Sequence, residues 1–98
     1  MSQFVYHNEA RRLRTLASNE NVLVFFSPHA ESQMAKRKIS KIDIMSILKR
    51  SSVVNSEFVD YEERWTAQGP DADGRVIHVV VVARERELSI DVVTAIAK

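Results

Sequence analysis

Residues 49–68 read KRSSVVNSEFVDYEERWTAQ, and the hydrophobic period changes inside them. Up to Lys49 and Arg50 the apolar residues recur three and four apart, as on a helix face. From Val53 onward they alternate, as in a strand. Residues 53–59 read as one strand and 61–68 as the next. In the second, Tyr61, Trp65 and Ala67 fall on one face, and Glu62, Arg64, Thr66 and Gln68 on the other. A helical half followed by a β half predicts an α+β domain.

Working back toward the N-terminus, Ser40 starts a helix, with Asp43 three residues on in a capping-box position. Ile39 and Ile44 stand at the staple positions. Ile44, Met45 and Leu48 form its apolar stripe, and Lys49 and Arg50 suit its C-terminus. Before it, SPHAESQMAKRKIS (27–40) holds a shorter helix that opens on Ser27 as N-cap and Pro28 as first residue. Only Ala30, Met34 and Ala35 are available to bury, so this helix is a thin cover. VLVFF (22–26) is a short buried strand. Residues 8–20 read as a first helix, with Ala10, Leu13, Leu16 and Ala17 on one side, Asn8 as cap and Asn19 as a left-handed stop.

Working forward, GPDADG (69–74) is a turn. Residues 75–83 are apolar on both faces, as a central strand should be. Glu85 and Arg86 make a two-residue turn, and residues 88–96 form the last strand. The order is α-β-α-α-β-β-β-β. The expected fold is a small antiparallel sheet with helices on one face, a single domain over 1–98 in which residues 1–21 are a helical extension and 22–98 the core.

The 98 residues suit one modest core. The absence of cysteine excludes disulfides and thiolate chemistry. No apolar run is long enough to span a bilayer, and no signal peptide is read, so a cytoplasmic location without membrane contact is expected. The net charge of +1 hides an asymmetry. Residues 1–50 hold nine Lys and Arg against four Asp and Glu, and residues 51–98 hold five against nine. A basic half joined to an acidic half can present a positive surface to a polyanion. The RRLR run (11–14) is either a solvated helix face or a site for RNA or an acidic partner.

Burying Trp65, Ala67, Leu88, Ile90 and Val92 puts Ile77, Val79 and Val81 on the core face. The other face then gathers Arg64, Thr66, Gln68, His78, Ser89 and Asp91. Arg64 can fork onto a phosphate. His78 titrates near neutrality, and Asp91 is placed to orient it. The alternative is a hydrogen-bonded structural histidine. His7, His29 and His78 lack metal-ligand spacing, so no metal and no cofactor are expected. DADG (71–74) fails the calcium-loop pattern, because the first and last ligand positions would be Gly69 and Val80. No phosphate-binding glycine loop or nucleophile elbow is present.

The pattern SPHAESQMAKRKISKIDI (27–44), followed by DGRVIHVVVV (73–82) and DVVTA (91–95), resembles small bacterial toxin domains of the BrnT, MqsR and RelE types. His29, Ala30, Met34, Arg37, Ile39 and Ser40 fit in spacing, as do Asp73, Gly74, Arg75 and His78. Lys38 departs, since that family usually has glycine there. The resemblance covers about 25–95 and omits the first helix. It implies a RelE-like fold and the toxin component of a toxin–antitoxin system, an endoribonuclease acting on mRNA, on or off the ribosome, without a metal. It also implies a cognate antitoxin, often a helix-turn-helix DNA-binding protein. The alternative is a non-enzymatic regulator or inhibitor on the same fold.

Such cleavage uses the RNA's own 2′-hydroxyl as nucleophile. It needs a base, an acid and cations for the developing phosphorane charge. The acid–base candidates are His29 and His78. The cationic candidates are Arg64, Arg37, Arg75 and Lys36. Arg37 lies about 80° round from His29 and roughly 12 Å along the helix, so the two cannot share one phosphate. Lys36 stands more nearly above His29.

Overall fold

The computed structural model describes residues 6–98; residues 1–5 of the expected single domain lie outside the described residues. Among the described residues there are three helices, α1 (His7–Ala17), α2 (Pro28–Arg37) and α3 (Lys41–Arg50), and five strands, β1 (Leu23–Phe26), β2 (Ser52–Val59), β3 (Glu62–Pro70), β4 (Val76–Arg84) and β5 (Ser89–Ala97), in the order α1-β1-α2-α3-β2-β3-β4-β5. The sheet order is β1-β5-β4-β3-β2. Strands β2 to β5 form the expected antiparallel meander, and β1 adds to its edge parallel to β5. This is an α+β domain with a mixed sheet.

Local chemistry explains the two central helices. Ser27 accepts from the Ala30 N–H at 3.0 Å, and its hydroxyl donates to the Val93 carbonyl at 2.9 Å, so one side chain caps α2 and anchors it to β5. Gln33 accepts from the Ala95 N–H at 3.0 Å, which satisfies β5 beyond the reach of the short β1. Lys38 ends α2 in the left-handed conformation, φ 56° and ψ 46°. Ser40 and Asp43 form the reciprocal capping box of α3. Its buried stripe is Ile44, Ile47 and Leu48; Met45 is only half-buried.

Helix α1 is shorter than its sequence suggests. Its N-cap is Tyr6, and Asn8 instead accepts from Arg11 within the helix. It ends at Ala17, and Asn19 is not left-handed; its side chain accepts from the Asn21 N–H. Ala10, Leu13, Leu16 and Ala17 all join the core.

The inner sheet face carries Trp65, Ala67, Ile77, Val79, Val81, Ile90 and Val92, all buried beneath the helices. The β4–β5 turn spans four residues, 85–88, so Arg84 pairs with Ser89. This moves the pairing by two residues from the expected register, and a shift of two keeps every side chain on its face. Leu88 is the exception. It sits in the turn at φ 52°, 36% exposed, and does not join the core. A bulge in β5 between the partners of Val81 and Val80 then lets Ala95 return to the inner face.

Tyr61 also departs from expectation. Asp60 (φ 53°) and Tyr61 (φ 64°) form the two-residue turn between β2 and β3, and Tyr61 is 94% exposed. Two left-handed residues match the twist of a hairpin, and that requirement overrides the alternation that places Tyr61 with Trp65. No helix of the described residues is long and apolar enough to cross a membrane.

Candidate functional site

The outer sheet face is the one turned away from the core, and it holds most of the residues singled out by pattern. His78 pairs in register with Gln68, and its Nε2 lies 2.7 Å from Gln68 Oε1. A carbonyl oxygen only accepts, so Nε2 carries the proton, and the neutral ring keeps a free lone pair at Nδ1. Burial pushes the His78 pKa down, and the charge of Lys98 adds to this. His78 is therefore neutral at pH 7 and able to accept a proton.

Arg64 does not reach that imidazole. It stands opposite Glu57 and one step beyond the Trp65–Val81 pair, four residues along β3 from Gln68. Four residues of strand are about 13 Å. Its Nε is buried without a hydrogen-bond partner, and it forms no ion pair among the described residues. Asp91 lies opposite Val82, also far from His78 along the sheet. It accepts from Arg84 Nε at 3.1 Å, and Arg84 Nη2 donates to Glu62 at 2.9 Å. The orienting role expected of Asp91 is thus corrected: it is half of a Glu62–Arg84–Asp91 ion triad.

Arg75 is committed to structure. Nε donates to Asp71 at 2.7 Å, Nη1 to the Arg37 carbonyl at 2.7 Å and Nη2 to the Lys38 carbonyl at 3.3 Å. These carbonyls are the unpaired acceptors at the end of α2, so Arg75 fastens that end to the β3–β4 turn. The Asp71 carboxylate is 1% exposed. Burial pushes its pKa up, but bonds from the Arg75 side chain and from the backbone N–H groups of Arg75 and Asp73 outweigh burial and hold it below the usual carboxylate range. Arg37 and Lys36 are exposed on the last turn of α2 and have no carboxylate partner among the described residues. His29 is exposed at the second position of α2, whose start is tied to Val93. Val93 is three residues, about 10 Å, along β5 from Ile96, the cross-strand partner of His78.

The sequence asymmetry becomes an end-to-end polarity. Around the turn at residues 70–75 gather Lys36, Arg37 and Lys38, reached through Arg75, with Lys98, whose N–H donates to the Val76 carbonyl. Ile42, Ser46 and Arg50 of α3 line a hollow with Pro70, Asp71 and Ala72. His78, near the start of β4, belongs to this basic end. The opposite end holds the β2–β3 and β4–β5 turns, with Glu57, Asp60, Glu62, Glu63, Glu85 and Glu87. Sequence reasoning missed Lys98, whose charge acts on His78, and Lys38 and Arg50, which lie at the same end of the sheet. Their placement has no local signal, because it depends on the pairing of β4 with β5 and on the bonds from Arg75 to the end of α2.

Two of the three RRLR arginines turn inward, and Arg11 stays exposed. Arg12 pairs with Glu85 and lies over the Trp65 ring at 5.1 Å, and Arg14 donates to the Ser51 carbonyl at 3.0 Å, closing α3.

No curated protein and no solved structure matches the chain. A family model described as "Domain of unknown function (DUF4258)" matches residues 26–97, from the end of β1 to the end of β5. The chain belongs to the DUF4258 domain family, and α1 lies ahead of the part that defines it.

Proposed function

We propose that this chain is an RNA-acting domain, the toxin component of a bacterial toxin–antitoxin pair, and that RNA engages its basic end beside His78. The observation that carries this reading is a neutral imidazole with a free Nδ1 at the end of the sheet where Lys36, Arg37, Lys38, Arg50 and Lys98 have no carboxylate partner among the described residues. Its resemblance to BrnT, MqsR and RelE-type toxins and its α+β fold are consistent with it.

In the proposed reaction Nδ1 of His78 takes the proton of a ribose 2′-hydroxyl. The O2′–P bond forms, the P–O5′ bond breaks, and a cyclic phosphate and a 5′-hydroxyl result, the leaving oxygen taking a proton from a general acid or water. The lysines and Arg37 offset the charge on the phosphorane. Arg64, about 13 Å away, contacts a neighbouring phosphate at most.

The test is incubation of purified protein with single-stranded RNA in EDTA. Cleavage with cyclic phosphate ends, abolished by His78→Gln, is expected. No cleavage with or without ribosomes, together with unchanged growth on expression, refutes the reaction. A second reading, a non-enzymatic binding module on the same fold, is favoured by one observation: Arg64, Asp91 and His29 do not join His78. Salt-sensitive RNA binding without cleavage would select it.

A further inference from the structure

The tip of the β2–β3 hairpin carries two large exposed aromatic side chains, Phe58 at 71% and Tyr61 at 94%. Neither has a role in the core, which Trp65 supplies at this level of the sheet. Around them, residues 57–63 (EFVDYEE) hold four carboxylates and no cation. Glu62 is held by Arg84, and Glu63 accepts from Ser56 at 3.0 Å; Glu57 and Asp60 have no ion-pair partner among the described residues. The tip is fixed, because the turn is the two-residue kind and leaves no slack between the strands.

We propose that this tip is a docking surface for a Lys- and Arg-rich segment of a partner protein. Exposed aromatics give a partner a large contact area at low entropic cost, and their faces attract cations. The carboxylates select the sign of charge and speed encounter. RNA is repelled by four acids. A second copy placing the same tip two-fold against this one would bring like charges together, and the chain's own basic end lies at the far end of the sheet, where engagement would run head to tail and give a ring or a filament rather than a two-fold dimer. The same recognition already exists inside the molecule: Arg12 lies on the Trp65 ring and is held there by Glu85.

The experiment titrates the full chain with two fluorescein-labelled decapeptides, one alternating Arg with Leu and one alternating Glu with Leu, and follows anisotropy. Amide NMR shifts of the labelled protein map the contact. Expected are shifts centred on residues 57–63 with the Arg peptide and none there with the Glu peptide, and an Arg-peptide affinity at least tenfold lower for the double variant Phe58→Ser, Tyr61→Asn. Glu57→Lys with Asp60→Lys should lose at least as much. Asn tolerates the left-handed position, and circular dichroism confirms that each variant stays folded. Equal shifts at residues 57–63 with both peptides, Arg-peptide shifts centred elsewhere, or an unchanged Arg-peptide affinity in the folded variants overturns the proposal. So does sedimentation showing a dimer that the tip substitutions dissolve, which assigns the surface to a second copy.

Discussion

Lys38→Gly should stabilise the protein and, on the proposed function, weaken RNA binding at the same time. Lys38 closes α2 at φ 56°, where a side chain meets the following carbonyl. The left-handed conformation costs a residue with a Cβ roughly 1–2 kcal/mol. Glycine removes that cost but gives the unfolded chain more freedom, about 0.4–1 kcal/mol. The balance favours the variant by about 0.5–1 kcal/mol, provided the Lys38 carbonyl keeps its bond from Arg75, which a side-chain change does not touch. For a chain of this length each kcal/mol moves Tm by roughly 4–8 °C, so calorimetry should show a rise of about 2–8 °C. The same change removes one cation from the basic end. The slope of log affinity for single-stranded RNA against log salt should then fall by about 0.7. A fall in Tm refutes the backbone argument. A rise in Tm with an unchanged salt slope leaves that argument standing and refutes the assignment of RNA to this end.

Leu13→Ala should cost about 3 kcal/mol by urea denaturation, because Leu13 is fully buried and a leucine cavity costs roughly 2–5 kcal/mol; a loss under about 1 kcal/mol would mean that α1 is an appendage. His78 has a folded pKa below its ordinary value, so the unfolded chain binds its proton first. Its contribution to stability is complete above the ordinary histidine range and is lost as pH falls through the lowered folded value. His78→Gln should flatten that limb of the stability profile, and an unchanged slope would show that His78 is not desolvated. Asp71, held low, contributes stability above the ordinary carboxylate pKa that is lost as pH falls through its lower folded value. Arg75→Ala should lower Tm and shrink this acid-limb loss, while Arg64→Ala should leave the limb as it is.

Caps are local chemistry, and α2 and α3 are legible in sequence for that reason. Ser27, Pro28, Ser40 and Asp43 act on groups within three residues of themselves. The two faces of the sheet are equally legible, because alternation survives any register error of two. What escapes is whatever depends on the turns. Asp60 and Tyr61 take left-handed conformations without glycine, so neither the turn nor the exposure of Tyr61 has a local signature. Leu88 fails in the same way. Partner choice is harder still. Asp91 has three basic candidates on its face, Arg64, His78 and Arg84, and the four-residue turn brings Arg84 within one diagonal step of it.

Which cations remain available decides where a polyanion can bind. By count alone the RRLR helix and the Lys-Arg-Lys end of α2 are equal candidates. The fold separates them: Arg12 is taken by Glu85 and Trp65, Arg14 by the Ser51 carbonyl, and Arg11 reaches back to Asn8. These bonds tie α1, which lies ahead of the matched family stretch, onto the core. Of the three, only Arg12 has its charge met by a carboxylate, and Arg11 stays exposed. Arg75 does the reverse. It binds the carbonyls of Arg37 and Lys38 and leaves both of their side chains in solvent. An arginine that looks phosphate-binding in a motif thus acts by holding two other cations in place, and the Asp-Gly-Arg turn and the Lys-Arg-Lys helix end form one structural unit. Substituting Arg75 and substituting Arg37 should therefore damage RNA binding by different routes, the first with a loss of Tm and the second without.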